Sequence, residues 1–279
     1  MKTGMTRRRV TLWATMAFLV IVSVVFLFPI FWLVTSAFKS TDSMFKLPPV
    51  WIPNRSWHHV LDIIRSNHLM IYFVHSLLEA GVSTLVVLVL GTMMAFSLSR
   101  HGWRRRTALA NFVLSLKIMP PVAAIIPVYL LMTHVGLFDT VQGMIIVYVM
   151  FNLPLATWLL LGFLRQVPVA LDEAATIDGA NQWQVLFRVI LPLLKASLIG
   201  IGLVCFMFAW NDFFFAVSLT SSRAVTMTVE TDSFLGDYIY QWASFYVAGA
   251  LEIIPMLIIG VAMQRYLIRG LSLGAVAGA

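Results

Sequence analysis

Six apolar runs, each long enough to cross the hydrocarbon core of a bilayer, leave this chain very few folds. They fall at about residues 11–38, 77–98, 107–133, 140–164, 196–220 and 243–267. A core roughly 30 Å thick takes about 20 helical residues to span. Lipid offers no partner to a backbone amide, so such a run closes its hydrogen bonds on itself as a helix. Composition agrees: 60% of the 279 residues are hydrophobic and 11% are charged, where a soluble domain is about a quarter charged. The expectation is an all-α, polytopic membrane protein with six transmembrane helices. The first run is longer than the apolar part of a signal peptide and reaches Phe38-Lys39 without a small-residue cleavage site, so it reads as an uncleaved span. The lone cysteine, Cys205, excludes a disulfide within the chain.

Charge between the runs sets an orientation. Of 19 Lys and Arg, thirteen lie near the termini (Lys2, Arg7, Arg8, Arg9, Arg265, Arg269), in the short loop 100–106, or in the segment 165–195. Lys39, Lys46, Arg55, Arg65 and Arg223 lie on the opposite side. Cytoplasmic loops are the ones enriched in Lys and Arg, so both termini and segment 165–195 are expected in the cytoplasm. The net charge of +7 follows from this topology and needs no nucleic-acid partner. Residues 39–67, with Pro48, Pro49, Pro53, Trp51 and Trp57, read as an external loop with an interfacial helix over 57–65. That loop either caps the spans or meets a protein that delivers solute. The chain thus divides into a cytoplasmic N-terminus (1–10), a first span (11–38), the external loop (39–67), a core of five spans (68–267) and a cytoplasmic tail (268–279).

One stretch departs from the apolar pattern. Residues 172–195, DEAATIDGANQWQVLFRVILPLLK, are amphipathic and charged. Asp172 stands where an N-cap would serve a short helix begun by Glu173, Ala174 and Ala175. Gly179 supplies a left-handed turn to end it. A second helical run over 183–189 places Trp183, Leu186, Phe187 and Ile190 at spacings of three and four, and Pro192 restarts the chain toward the next span. Read from composition, this is either an amphipathic helix on the lipid surface or a plug with a small-residue face and a bulky apolar face.

No GxxxxGK[ST] phosphate loop, HExxH or Gly-x-Ser-x-Gly pattern occurs, and no catalytic or metal-binding set is expected. Polar residues inside the spans are the other candidates. Lys117 precedes Met119-Pro120-Pro121, Asn152 precedes Pro154, Asn211 and Asp212 follow Trp210, and Glu252 precedes Pro255. Charge in a span costs about 2.5–3.5 kcal/mol on insertion scales and faces a bundle interior or a cavity. These five either line a translocation path or form structural pairs, such as Lys117 with a carboxylate. Glu79 and His75 read as interfacial.

The spacing Glu173-Ala174-Ala175, three residues, Gly179, nine residues, Val189-Ile190-Leu191-Pro192 resembles the EAA loop of ABC importer permeases, with Val189 where that pattern has Ile. Met119-Pro120-Pro121, Gly136-Leu137-Phe138-Asp139-Thr140, Trp210-Asn211-Asp212-Phe213 (Asp where Glu is usual) and Gln264-Arg265-Tyr266 are similar to the maltose-permease-like, carbohydrate-uptake branch. The resemblance implies the type I ABC importer permease fold in the inner membrane of a prokaryote. It implies a cytoplasmic coupling helix in which Asp172, Glu173, Ala174, Ala175, Asp178, Gly179, Leu191 and Pro192 meet an ATPase. The implied partners are a second permease subunit, two ATPase subunits that use ATP and Mg, and an external solute-binding protein, with no cofactor on this chain. The family's C-terminal Lys-Gly is replaced by Ala277-Gly278-Ala279, which leaves a tail contact with the ATPase unsupported. A permease for a non-carbohydrate or anionic solute and a gradient-driven carrier stay open as alternatives. A membrane-embedded enzyme would need a catalytic set that these spans lack.

Overall fold

The computed structural model describes residues 2–51, 54–55, 57–100, 106–236 and 241–276, and in 2–11, 106 and 263–276 the backbone only. The basic residues at 101–105, the side chains of Arg265 and Arg269 and the end of the tail therefore lie outside the described residues. All regular structure among the described residues is helical. In chain order the helices are α1 (Lys2–Ser36), the single turn α2 (Thr41–Met44), α3 (Trp57–Ser66), α4 (Leu69–Arg100), α5 (Arg106–Ile118), α6 (Pro121–His134) and α7 (Val141–Leu164). Then come α8 (Ala170–Ile177), α9 (Gln182–Gln184), a π-helical stretch Val185–Ile190, α10 (Leu191–Leu193), α11 (Lys195–Trp210), α12 (Phe214–Leu219), α13 (Met227–Ser233) and α14 (Trp242–Val276).

Four described segments cross a bilayer on length and hydropathy alone: Leu12–Ser36, Leu69–Arg100, Val141–Leu164 and Trp242–Ala262. The count reaches six only if two bent pairs each serve as one span. Those are Thr107–Ile118 with Pro121–His134, bent by 92°, and Gln182–Leu193 with Lys195–Trp210, bent by 81°. The third apolar run is therefore broken, and the cause is local. Pro120 is extended (φ −60, ψ 130), and consecutive prolines deny the helix both an amide and room for the preceding turn. The fifth run also departs from a continuous helix over 196–220. It stops at Trp210 with Asn211 as C-cap and restarts at Phe214.

The chain forms two compact units. The first comprises residues 1–69 and 231–251. Its loop folds back after α1: the amides of Asn54 and Arg55 donate to the Phe38 carbonyl at 3.2 and 2.9 Å. Lys39 is buried with its Nζ 3.8 Å from the Trp32 ring centre, and burial lowers the pKa of that amine. The interfacial helix is present as α3, which buries Val60 and Ile63. None of the apolar window of α1 is buried.

The second unit comprises residues 70–230 and 252–279. It has two apolar clusters, and α4, α7 and α11 contribute to both. Ala95, Phe96, Leu160, Leu164, Leu186 and Ile190 belong to one; Ala80, Met144, Tyr148, Ala209, Trp210 and Phe215 belong to the other. At the start of α7 the chain turns tightly, since a Cβ on Gly143 would sit 2.2 Å from the Leu137 carbonyl oxygen. Asp139 (φ 56) stands before that turn. Its carboxylate accepts the amides of Ser221, Ser222, Arg223 and Ala224 at 2.8–3.3 Å, which ties loop 135–140 to loop 220–226. Burial would raise its pKa, but the four amides outweigh that and hold it below the ordinary value.

Candidate functional site

Residues 170–193 form a hairpin whose two arms are fastened by local hydrogen bonds. Gly179 does adopt the left-handed conformation (φ 84). Around it the Ala180 amide reaches the Ala175 carbonyl (2.9 Å) and the Gly179 amide reaches the Thr176 carbonyl (3.0 Å). That pair of bonds closes the end of α8 and fixes the chain reversal. The second arm starts with a capping box: the Gln184 amide donates to Asn181 Oδ1 (2.9 Å) and the Asn181 amide to Gln184 Oε1 (2.8 Å). The Asn-x-x-Gln spacing signals this box in the sequence, and sequence reasoning missed it.

Asp172 is not the expected N-cap. Helix α8 starts one turn earlier, with Val169 at the cap position and no side-chain cap. Asp172 lies in the first turn, where Arg100 at the end of α4 approaches it, Nε to Oδ2 at 2.5 Å, with the side chains 9% and 14% exposed. The pair is held by opposite charge, and Asp172 Oδ1 is left without a hydrogen-bond partner. Arg100 also donates from Nη2 to the Val167 carbonyl (3.0 Å). Burial raises the Asp172 carboxyl, and Arg100 only partly offsets it. Both residues line a groove of about 540 Å³ together with Phe96, Glu173 and Val185.

The expected single bulky face of Trp183, Leu186, Phe187 and Ile190 is divided. Leu186 and Ile190 are buried in the chain's own core, whereas Trp183 and Phe187 stack on each other and stay more than half exposed. The π-helical turn is the reason, since its extra residue per turn re-phases the side chains within Val185–Ile190. Ile177 is 86% exposed and Leu193 is also exposed. Glu173, Ala174, Asp178, Gly179 and Pro192 are exposed, while Ala175 and Leu191 pack partly against the core. The hairpin is thus seated by Leu186 and Ile190, and turns an apolar rim and two acids, Glu173 and Asp178, outward.

The span residues have separate fates. Lys117 pairs with no carboxylate among the described residues; its Nζ donates to the Phe151 carbonyl (3.2 Å) and lies 4.6 Å from the Phe208 ring centre. Asn152, the next residue of α7, is buried. Asn211 is exposed and caps its own helix by donating to the Met207 carbonyl (2.8 Å). Asp212 is half-buried in the break after α11. Its Oδ2 accepts the Ala216 amide (3.1 Å) and the Tyr148 hydroxyl (3.4 Å), and its backbone carbonyl accepts the Thr228 hydroxyl (2.9 Å). The Glu252 carbonyl accepts the Trp210 indole (3.1 Å). Glu79, expected at the interface, is wholly buried within the chain on α4, and Asp212 acts on it electrostatically. No group of three or more His, Cys, Asp or Glu among the described residues has the geometry to hold a metal.

Comparison with known proteins follows the same outline. Residues 87–273 match the family described as the binding-protein-dependent transport system inner membrane component. The chain is 32% identical to the trehalose transport system permease protein SugB of Mycobacterium tuberculosis, covering 97% of this chain and 99% of that one. It is 30% identical to the trehalose/maltose transport system permease protein MalG of Thermococcus litoralis, over 93% and 94%. Its fold resembles that of a bacterial ABC transporter involved in alginate import, with a TM-score of 0.75 at 20% identity, over 92% of this chain and 96% of that chain.

Proposed function

Because the chain belongs to the family of binding-protein-dependent transport system inner membrane components, we propose that it is the permease subunit through which an ATP-driven importer takes a sugar, polyol or glycoside across the cytoplasmic membrane. It is not itself the enzyme; a separate ATPase subunit hydrolyses ATP, using Mg. It works beside a second permease subunit, two ATPase subunits and an external binding protein. The sugar reading draws on relatives whose names record trehalose and maltose transport.

The observation that carries the mechanism is the hairpin. Its reversal and second arm are locked by the turn at Gly179 and the Asn181–Gln184 box, and Arg100 fastens Asp172 to the end of α4. The second arm also continues into α11 through one 81° bend. A push on the hairpin therefore reaches α4 and α11 as a lever rather than dissipating in a loop, which is the rigid-body requirement of a two-state transporter. The outward rim of Ile177, Trp183, Phe187 and Leu193 suits an apolar cleft on the ATPase, with Glu173 available to a basic group there. In this reading the hairpin and both termini are cytoplasmic, residues 1–10 and 268–279 are the cytoplasmic ends, 11–38 is a separable first span, 39–67 is the external loop, and 68–267 is the permease core. Lys117, Asn152, Asn211, Asp212 and Glu252 mark the solute path. Carboxylates outnumber the one lysine there, which favours a neutral polyhydroxylated solute over an anion.

The test is Glu173→Lys. The variant should insert in the membrane and pair with the second permease, yet lose co-purification of the ATPase and uptake of trehalose, maltose and melibiose alike. An ATPase still bound at wild-type stoichiometry would refute the coupling assignment.

A further inference from the structure

Glu79 sits on α4 with no exposed surface, and neither of its carboxyl oxygens has a hydrogen-bond partner. The groups that act on it electrostatically are Asp212, from the break after α11, and Tyr148, from α7. One turn earlier on α4 is His75, whose Nδ1 is also buried and unpartnered, and beyond it Tyr72, which feels Glu230 of α13. Lys117 is committed to the Phe151 carbonyl and the Phe208 ring. Glu79 therefore has a carboxylate acting on it and, among the described residues, no Lys or Arg paired with it.

The two acids are provided for unequally. Asp212 receives an amide and a phenol hydroxyl, and donors of that kind favour the charged form. Glu79 receives nothing, and an ionised carboxylate buried without a donor or counter-charge takes up a proton instead. We propose that Glu79 is a proton-binding site inside the bundle, protonated at neutral pH, so that the Glu79–Tyr148–Asp212 group carries a single negative charge, on Asp212. Glu79 is in that sense a positioning residue: as a neutral acid it lets Asp212 stand close to α4 and α7, and once ionised it would drive the 211–213 break away. The proposal does not depend on the sugar or on the ATPase docking.

The experiment uses the complete transporter in lipid nanodiscs. Difference infrared spectra at neutral pH should contain the carbonyl stretch of a protonated carboxylic acid, and Glu79→Gln should abolish it. Because amide and neutral acid share a shape, Glu79→Gln should assemble and transport like the parent. It should also flatten the loss of thermal stability on raising the pH that the parent shows. Asp212→Asn should keep the band but shift its disappearance to lower pH, since the neighbouring negative charge is gone. The proposal fails if the band survives Glu79→Gln. It fails equally if Glu79→Gln does not assemble while Glu79→Asp does, or if Asp212→Asn leaves the titration of the band unmoved.

Discussion

Replacing Asp139 with Asn takes one charge out of a loop crossing whose contacts are all at hand. The carboxylate accepts four successive backbone amides, Ser221 to Ala224, plus the Ser222 hydroxyl at 3.1 Å. A hydrogen bond to a charged group contributes roughly 1.5–3 kcal/mol net. The four amides share two oxygens, with Ser222 and Arg223 each reaching both, and the crossing is partly wetted, so about 3 kcal/mol is a fair total for the whole set. Asn keeps one acceptor oxygen and tolerates the positive φ, but it turns an amide donor toward the loop amides; its expected cost is about 2 kcal/mol. Ala loses every bond and adds left-handed strain of about 1 kcal/mol, for a total near 4 kcal/mol. In a chain of this size 2 kcal/mol corresponds to roughly 4–8 °C in the unfolding midpoint. The assay is thermal unfolding of the assembled transporter in detergent, as a function of pH. The folded carboxyl lies below its ordinary pKa, so its contribution is complete above the unfolded value of about 3.9 and is lost as pH falls through the lower folded value. The gap between parent and Asp139→Asn should therefore be constant near neutrality and close in strong acid. Equal midpoints at pH 7 would refute the reasoning.

Two further substitutions probe the hairpin and the path. Arg100→Met leaves Asp172 largely buried beside no cation and should cost about 2–4 kcal/mol, between the values for exposed and buried pairs. Adding Asp172→Leu should recover most of that, and a thermal double-mutant cycle with no coupling would show the pair to be inert. Lys117→Met should leave the complex assembled while changing uptake across a panel of neutral sugars, because the ammonium donates to a backbone carbonyl rather than to a structural carboxylate. Unchanged uptake would return Lys117 to a purely structural role.

Several features were legible because they depend on neighbours in the chain. The apolar runs and the left-handed Gly179 follow from periodicity and backbone sterics over a few residues, whereas the bend at Pro120-Pro121 and the stop at Trp210 interrupt runs that read as continuous spans. The Asn181–Gln184 box is equally local, and its Asn-x-x-Gln signal is present in the letters although the sequence reading missed it. The EAA-like spacing located the hairpin for the same reason, as a pattern carried by a contiguous stretch.

What the letters could not contain was which distant residue each polar group meets. Asp172 looked like a cap because its own helix was considered alone; Arg100, 72 positions earlier in the numbering, made it half of an ion pair. That Glu79 is wholly buried and under the influence of Asp212 and Tyr148, from elsewhere in the chain, is likewise not written along its own span. Lys117 met a carbonyl of α7 rather than a carboxylate. Local sterics and the cost of bare amides in lipid act through the chain and are written in it. Burial and charge pairing act through space, and only the packed helices decide them.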